Sequence, residues 1–309
     1  DIFGGSMVSF TEVLGDQQFS MYAASVQQYK TLSFNYVNLS RRMQFALQGY
    51  SQTQFFYGQL SSYLYDPALA PYISREDALA TQTVRGGSAF AIYPFSMYRR
   101  VELSGGLVNY NEEFADPLLQ DESDRYQDEQ FGTRLFNSGL MVPLGVSFIQ
   151  ETTVFREYGP LSGSTMRLSF EAAPKIGNTL SRQTLDADAR YYARIGSNGV
   201  FALRAVGFKS FGDAPGYMFF GGNSEMRGYD YRQFVGHKAF YGNAELRYPL
   251  IHAMATPIGV MGGIRGVFYF NIGGAGLDGV PFKPWESGSK TFPADTTPGG
   301  IVTRPAQRI

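Results

Sequence analysis

The side chains in this sequence that could do acid, base or nucleophilic chemistry are few. His237 and His252 are the only histidines, and they fall in no H-E-x-x-H or H-x-x-x-H spacing, so they do not make the paired imidazoles of a zinc site. Ser224, in GGNSEMRGYDY (221–231), sits in no G-x-S-x-G elbow and has no His/Asp pattern to activate it. Asp186 and Asp188 could act as general acid and base. With Arg190 and Arg194 on the same alternating face, they read more simply as a charge ladder. GAGLDG (274–279) matches G-x-G-x-x-G but leads into a proline-rich stretch instead of a helix N-terminus, which a bound phosphate would need. The expectation is no enzyme, no cofactor and no metal. What remains is Arg227, a permanent charge in a glycine-rich connection, followed by Gly228 and Tyr229.

The segments that must position these residues alternate apolar and polar with period two, the signature of strands. In LDADARYYARI (185–195), Leu185, Ala187, Ala189, Tyr191, Ala193 and Ile195 share one face, and Asp186, Asp188, Arg190, Tyr192 and Arg194 the other. TMRLSFE (165–171) and AFYGNAELRY (239–248) repeat the pattern, the latter setting Asn243, Glu245 and Arg247 on the polar face. Strands are predicted near 5–14, 17–27, 32–39, 43–57, 82–96, 98–110, 133–142, 146–155, 163–174, 182–196, 200–212, 216–222, 237–251 and 258–276. A turn at VPLG (142–145) is adopted because it puts the long connections 58–81, 111–132 and 223–236 at one end and the short turns at the other.

Composition narrows the class. With 26 Lys+Arg against 27 Asp+Glu, the net charge of −1 gives nucleic acid no electrostatic attraction, and with no cysteine there is no disulfide framework. Charged residues make up 17% and aromatics 16%, a balance unlike the roughly 25% charge of a soluble domain. No run approaches the roughly 18–20 apolar residues of a membrane helix. Long alternating strands, aromatics near their ends and both charge signs on one face predict an all-β fold, an antiparallel transmembrane β-barrel with a wet lumen. The chain reads as a fragment of a longer protein, with residues 1–309 forming a single barrel domain incomplete at its C-terminus.

GGNSEMRGYDY, then YGNAELRYPL, then VFYFNIGGAG, in that order and spacing, resemble the closing region of the outer-membrane assembly and translocation superfamily. This is the bacterial surface antigen family, which includes the insertase BamA, TamA and the two-partner secretion transporters. Its V-R-G-Y/F motif matches Met226, Arg227, Gly228 and Tyr229, with Met in the aliphatic position. The resemblance implies that the arginine folds into the lumen against an acidic residue matching Glu245. A second, usually Asp in F-x-D-x-G, is replaced here by Asn271. The expected latch has Glu245 as its charged mate, Asn271 giving a neutral hydrogen bond, Gly228 permitting close packing and Tyr229 covering the contact. Period two independently puts Asn271 on the inner face with Arg265, Val267 and Tyr269.

Upstream, GGSMVSFTEVLGDQQF (4–19), NLSRRMQF (38–45) and ETTVFREYGPLSGSTMRLSFE (151–171) look like family barrels that follow a periplasmic β-propeller. The resemblance implies sixteen strands, of which about thirteen or fourteen are visible here. It also implies residence in the outer membrane of a Gram-negative bacterium, contact with outer-membrane lipid and lipopolysaccharide, and unfolded or secreted protein substrates. The alternative is a non-transporting barrel that anchors fixed protein partners in a complex, its lumen plugged by the folded loop and by segments 58–81, 111–132 and 277–300.

Overall fold

The computed structural model describes residues 3–26, 29–57, 65–66, 72–73, 79–114, 116–131, 137–156, 159–196, 199–257 and 259–277, with short pieces at 291–292, 295–296, 302–304 and 307–308. One antiparallel sheet of fourteen strands dominates. Its first strands are β1 (Phe3–Thr11), β2 (Gln17–Val26), β3 (Tyr29–Asn38), β4 (Gln44–Tyr57), β5 (Leu79–Ser96) and β6 (Arg99–Phe114). There follow β7 (Gly139–Met141), β8 (Leu144–Glu151), β9 (Val154–Arg156), β10 (Gly159–Ala173), β11 (Arg182–Ile195) and β12 (Gly199–Gly212). After β13 (Met218–Phe220) and β14 (Phe234–Gly236), which pair only with each other, β15 (Lys238–Thr256) and β16 (Gly259–Gly276) complete the wall. Neighbours in sequence are neighbours in the wall, so the chain meanders.

The wall is inside-out by the standards of a soluble protein. Met166, Leu168 and Phe170 of β10 are 38–47% exposed on the outer face, whereas Glu245 is buried on the inner one. Leu185, Tyr191 and Ile195 of β11 and Phe240 and Leu246 of β15 likewise face out. Water on both faces would oppose this arrangement, and a hydrocarbon exterior favours it.

Two corrections to the predicted strands cancel one another. Residues 139–151 do not turn back at 142–145: β7 pairs Val108–Tyr110 of β6 and β8 pairs Arg99–Gly105 of the same strand. Pro143 only interrupts the ladder, having no N–H to give, while its carbonyl accepts from the Gly106 N–H at 3.0 Å. Residues 216–222 are not a wall strand either, because β13 pairs with β14 inside a connection. One wall crossing too many before the loop and one too many within it leave the parity unchanged. The connections 58–78, 115–138 and 213–237 therefore do lie at one end, and the turns at 12–16, 39–43 and 97–98 at the other.

Helix α1 (Pro117–Phe131) occupies the second of those connections, where only loop was predicted. Asp116 caps it, accepting from the Leu118 N–H at 2.9 Å, and Pro117 takes the first helical position, where no donor is needed. Its buried side presents Leu119, then Ser123 and Gln127, which hydrogen-bond each other at 2.7 Å. Leu119 packs with Phe114, Ala80 and Tyr65 at the loop end of β5 and β6. Residues 58–64, 67–71, 74–78 and 278–290 lie outside the described residues, as does any plugging by them.

Candidate functional site: the folded loop and its seat on the wall

The 213–237 connection leaves β12 at Asp213, whose carboxylate accepts from Lys175 Nζ at 3.0 Å and from the Ser181 N–H at 3.2 Å. The Lys175 ammonium, aided by that backbone donor, holds the Asp213 carboxyl below the usual carboxylate range. The chain then forms the β13–β14 ladder, with Met218 opposite Gly236 and Phe220 opposite Phe234. Between its strands lies GGNSEMRGYDY, closed by Met226 N–H to Gly222 O at 2.9 Å and Gly221 N–H to Glu225 Oε2 at 2.8 Å.

Apolar packing fixes the loop to the inner wall. Met226 and Phe220 are buried against Val206 of β12 and Ala239 and Tyr241 of β15. The Phe220 ring stacks between Phe234 at 4.9 Å and Tyr241 at 5.0 Å. Met226 is thus an anchor in its own right, a role the motif position alone did not express.

Next to it, Arg227 Nη1 donates to Glu245 Oε1 at 2.5 Å. The other carboxylate oxygen of Glu245 is held by Arg247 Nε at 2.7 Å, so one carboxylate serves two guanidiniums. The ring over the Arg227 guanidinium is that of Tyr269, 4.7 Å from its centroid, a cation–π contact across β16. Tyr229 does not cover the contact: it is 48% exposed and packs edge-on to Phe234 at 5.0 Å. Gly228 does not serve close packing, since a Cβ there would meet nothing within 4 Å; its φ of +91° is what calls for glycine. Close approach occurs at Gly236, where a Cβ would fall 2.5 Å from Gly276 O and 2.6 Å from Gly276 N.

Asn271 meets the backbone of the loop through its side-chain amide. Its amide oxygen accepts either from Asn243 Nδ2 at 2.8 Å or, with the amide turned over, from the Arg227 N–H at 2.9 Å. Turned over, its amide nitrogen also reaches the Phe270 carbonyl at 3.1 Å, so a single amide oxygen serves either Asn243 or Arg227 but not both. Asn271→Asp is expected to accept from both and to neutralise the second guanidinium. The loop should gain about 1 kcal/mol, read as slower hydrogen exchange at the Arg227 amide; faster exchange would contradict this placement.

The other inward charges form a separate group. Asp188 accepts from Arg190 Nη2 at 2.7 Å and from Arg204 Nη2 of β12 at 2.9 Å. Arg204 also lies over the Tyr241 ring at 5.1 Å, which ties the ladder to the loop's seat. Asp186 stands opposite Ser169 in the register. Arg194 and Arg265 lie in the short-turn halves of β11 and β16, opposite Val200 and Pro249, away from the loop. His237 is buried against the Tyr217 ring at 4.7 Å, and the side chain of His252 is outside the description. Arg204 was missed; Arg247 and Tyr269 were placed on the inner face by the alternation, two residues from Glu245 and Asn271, but were not assigned to the latch.

No protein-family model and no curated protein matches the sequence. Among solved structures, the chain is similar to BamA from Haemophilus ducreyi lacking POTRA domains 1–3, with a TM-score of 0.58 at 11% identity over 79% of this chain and 50% of that one. CdiB from Escherichia coli aligns with a TM-score of 0.47 at 14% identity, over 87% of this chain and 48% of that one. CdiB from Acinetobacter baumannii gives 0.42 at 11%, over 88% and 45%. The chain thus spans about half the length of the structures it matches. The first likeness establishes the fold as that of a BamA-like antiparallel β-barrel.

Proposed function

We propose that this chain is the membrane-spanning barrel of an outer-membrane protein in the BamA and two-partner-secretion superfamily, with a role in assembling, inserting or exporting outer-membrane or surface proteins. The observation that carries the reading is the inside-out wall together with a motif loop folded onto its inner face. In this reading Met226, Arg227, Gly228, Tyr229, Glu245 and Asn271 form a lumenal latch, and the protein lies in the outer membrane of a Gram-negative bacterium among lipid and lipopolysaccharide. Residues 1–309 are one barrel domain, incomplete at its C-terminus, downstream of a periplasmic β-propeller. Its partners are unfolded or secreted polypeptides.

Outer-membrane residence is tested by washing isolated membranes with carbonate and with salt. The barrel is expected to stay in the pellet, and release into the soluble fraction would end the reading. The transport role is tested by photo-crosslinkers on the free edge of β1, the first strand, where an incoming strand would pair by β-augmentation. Crosslinks to nascent outer-membrane or secreted chains support it. Their absence, with a fixed set of copurifying proteins, assigns the barrel instead to anchoring a complex.

A further inference from the structure

The outer surface at the short-turn end treats its arginines differently from the lumen. Arg100 points inward and is held by two carboxylates, Glu102 at 2.7 Å and Glu151 at 2.7 Å. Arg99, its neighbour, faces out by the pleat and donates its Nε–H to the neutral Gln150 Oε1 at 3.0 Å. Arg42, in the turn between β3 and β4, lies over the outward Tyr93 ring at 4.9 Å and gives its Nε–H to the Pro94 carbonyl at 3.3 Å. Among the described residues no carboxylate pairs with Arg42 or Arg99. Each guanidinium keeps its Nη donors for another acceptor.

The register brings the two together. Pro94, which holds Arg42, and Ser96, which stands opposite Arg99, are two residues apart at the end of β5. Between them Phe95 is 56% exposed and edge-on to Tyr93 at 5.4 Å, and Met97, in the following turn, is 91% exposed. The cluster thus puts two unneutralised guanidiniums at the rim of an outward apolar belt that continues through Phe45, Leu47, Leu103 and Leu107. Aromatic and aliphatic side chains below, with cations above, match the order of groups through a phospholipid monolayer.

We infer that Arg42 and Arg99, framed by Tyr93 and Phe95, form a binding site on the barrel's outer face for the phosphodiester of an anionic phospholipid in the leaflet at the short-turn end. Guanidinium forks match phosphate oxygens geometrically, and their partial desolvation at the rim strengthens the contact. This inference rests on the proposed membrane-spanning reading.

The test reconstitutes the full-length protein in phosphatidylcholine vesicles with and without phosphatidylglycerol. Carbonate resistance in phosphatidylcholine alone checks the membrane-spanning reading separately. Phosphatidylglycerol is expected to raise the Tm of the wild type by about 3 °C. The rise should shrink in high salt and vanish in the Arg42→Gln/Arg99→Gln variant. Arg85→Gln, which removes one outer-face guanidinium nearer the loop end of β5, opposite Asn109, should keep it. An inserted wild type with the same Tm in both lipids, or a double variant that retains the full rise, overturns the proposal.

Discussion

Replacing Glu245 with alanine is expected to free residues 221–236 more than replacing Arg227, although the two residues form one ion pair. The asymmetry follows from stoichiometry. Arg227→Ala leaves Glu245 paired with Arg247 at 2.7 Å, so no inward charge is stranded. Glu245→Ala removes the one carboxylate that both guanidiniums share and leaves two like charges side by side. The side chain of Glu245 is only 11% exposed, but those of Arg227 and Arg247 are 27% and 34% exposed. The loss therefore falls between the surface and buried limits, at about 2 kcal/mol, against about 1 kcal/mol for Arg227→Ala. Trypsin cleavage after Arg232, present in both variants, reads the difference in membrane preparations. Equal cleavage rates would mean that Arg247 takes no part in holding the carboxylate.

Gly236→Val is expected to cost still more, about 3 kcal/mol, and to detach the β13–β14 ladder from the wall. A Cβ at residue 236 would lie 2.5, 2.6 and 2.9 Å from the O, N and C atoms of Gly276. Those atoms are backbone of β16, held by its pairing with Lys238 of β15, and cannot rotate away as a side chain can. Gly228→Ala is the control: nothing crowds it, so its cost is that of an L-residue at positive φ, about 1 kcal/mol. Thermal unfolding in detergent should rank wild type above Gly228→Ala, and Gly228→Ala above Gly236→Val. The reverse order would mean that the loop does not rest on β16.

What could be read from the sequence was what lies within one strand. Period two identified the inner and outer faces of β10, β11 and β15, because pleating fixes side-chain direction locally. It placed Glu245 on the same face as Arg247 but could not tell that Arg247 and Arg227 share that one carboxylate, which depends on χ angles. It also overcounted: VPLG has turn composition, yet the neighbouring ladder on β6 carries the chain straight through Pro143. Residues 216–222 have strand composition, yet they pair inside a loop. Helix α1 escaped because its buried face is Leu119, Ser123 and Gln127, too polar to show a 3.6-residue stripe; its Asp116–Pro117 start was the legible cue. Gly236 acts only through a segment distant in sequence, and no local pattern marks it; for Tyr269 the alternation gave the face but not the guanidinium it covers.

The loop's contacts fall on three adjacent wall strands: Val206 of β12, Ala239, Tyr241 and Glu245 of β15, and Tyr269 and Gly276 of β16. A clamp laid across three staves resists their sliding past one another, because any change of register would have to tear all its points loose at once. While it is seated, this side of the wall moves as one stiff panel. A change in the barrel's girth is then confined to strands the loop does not touch.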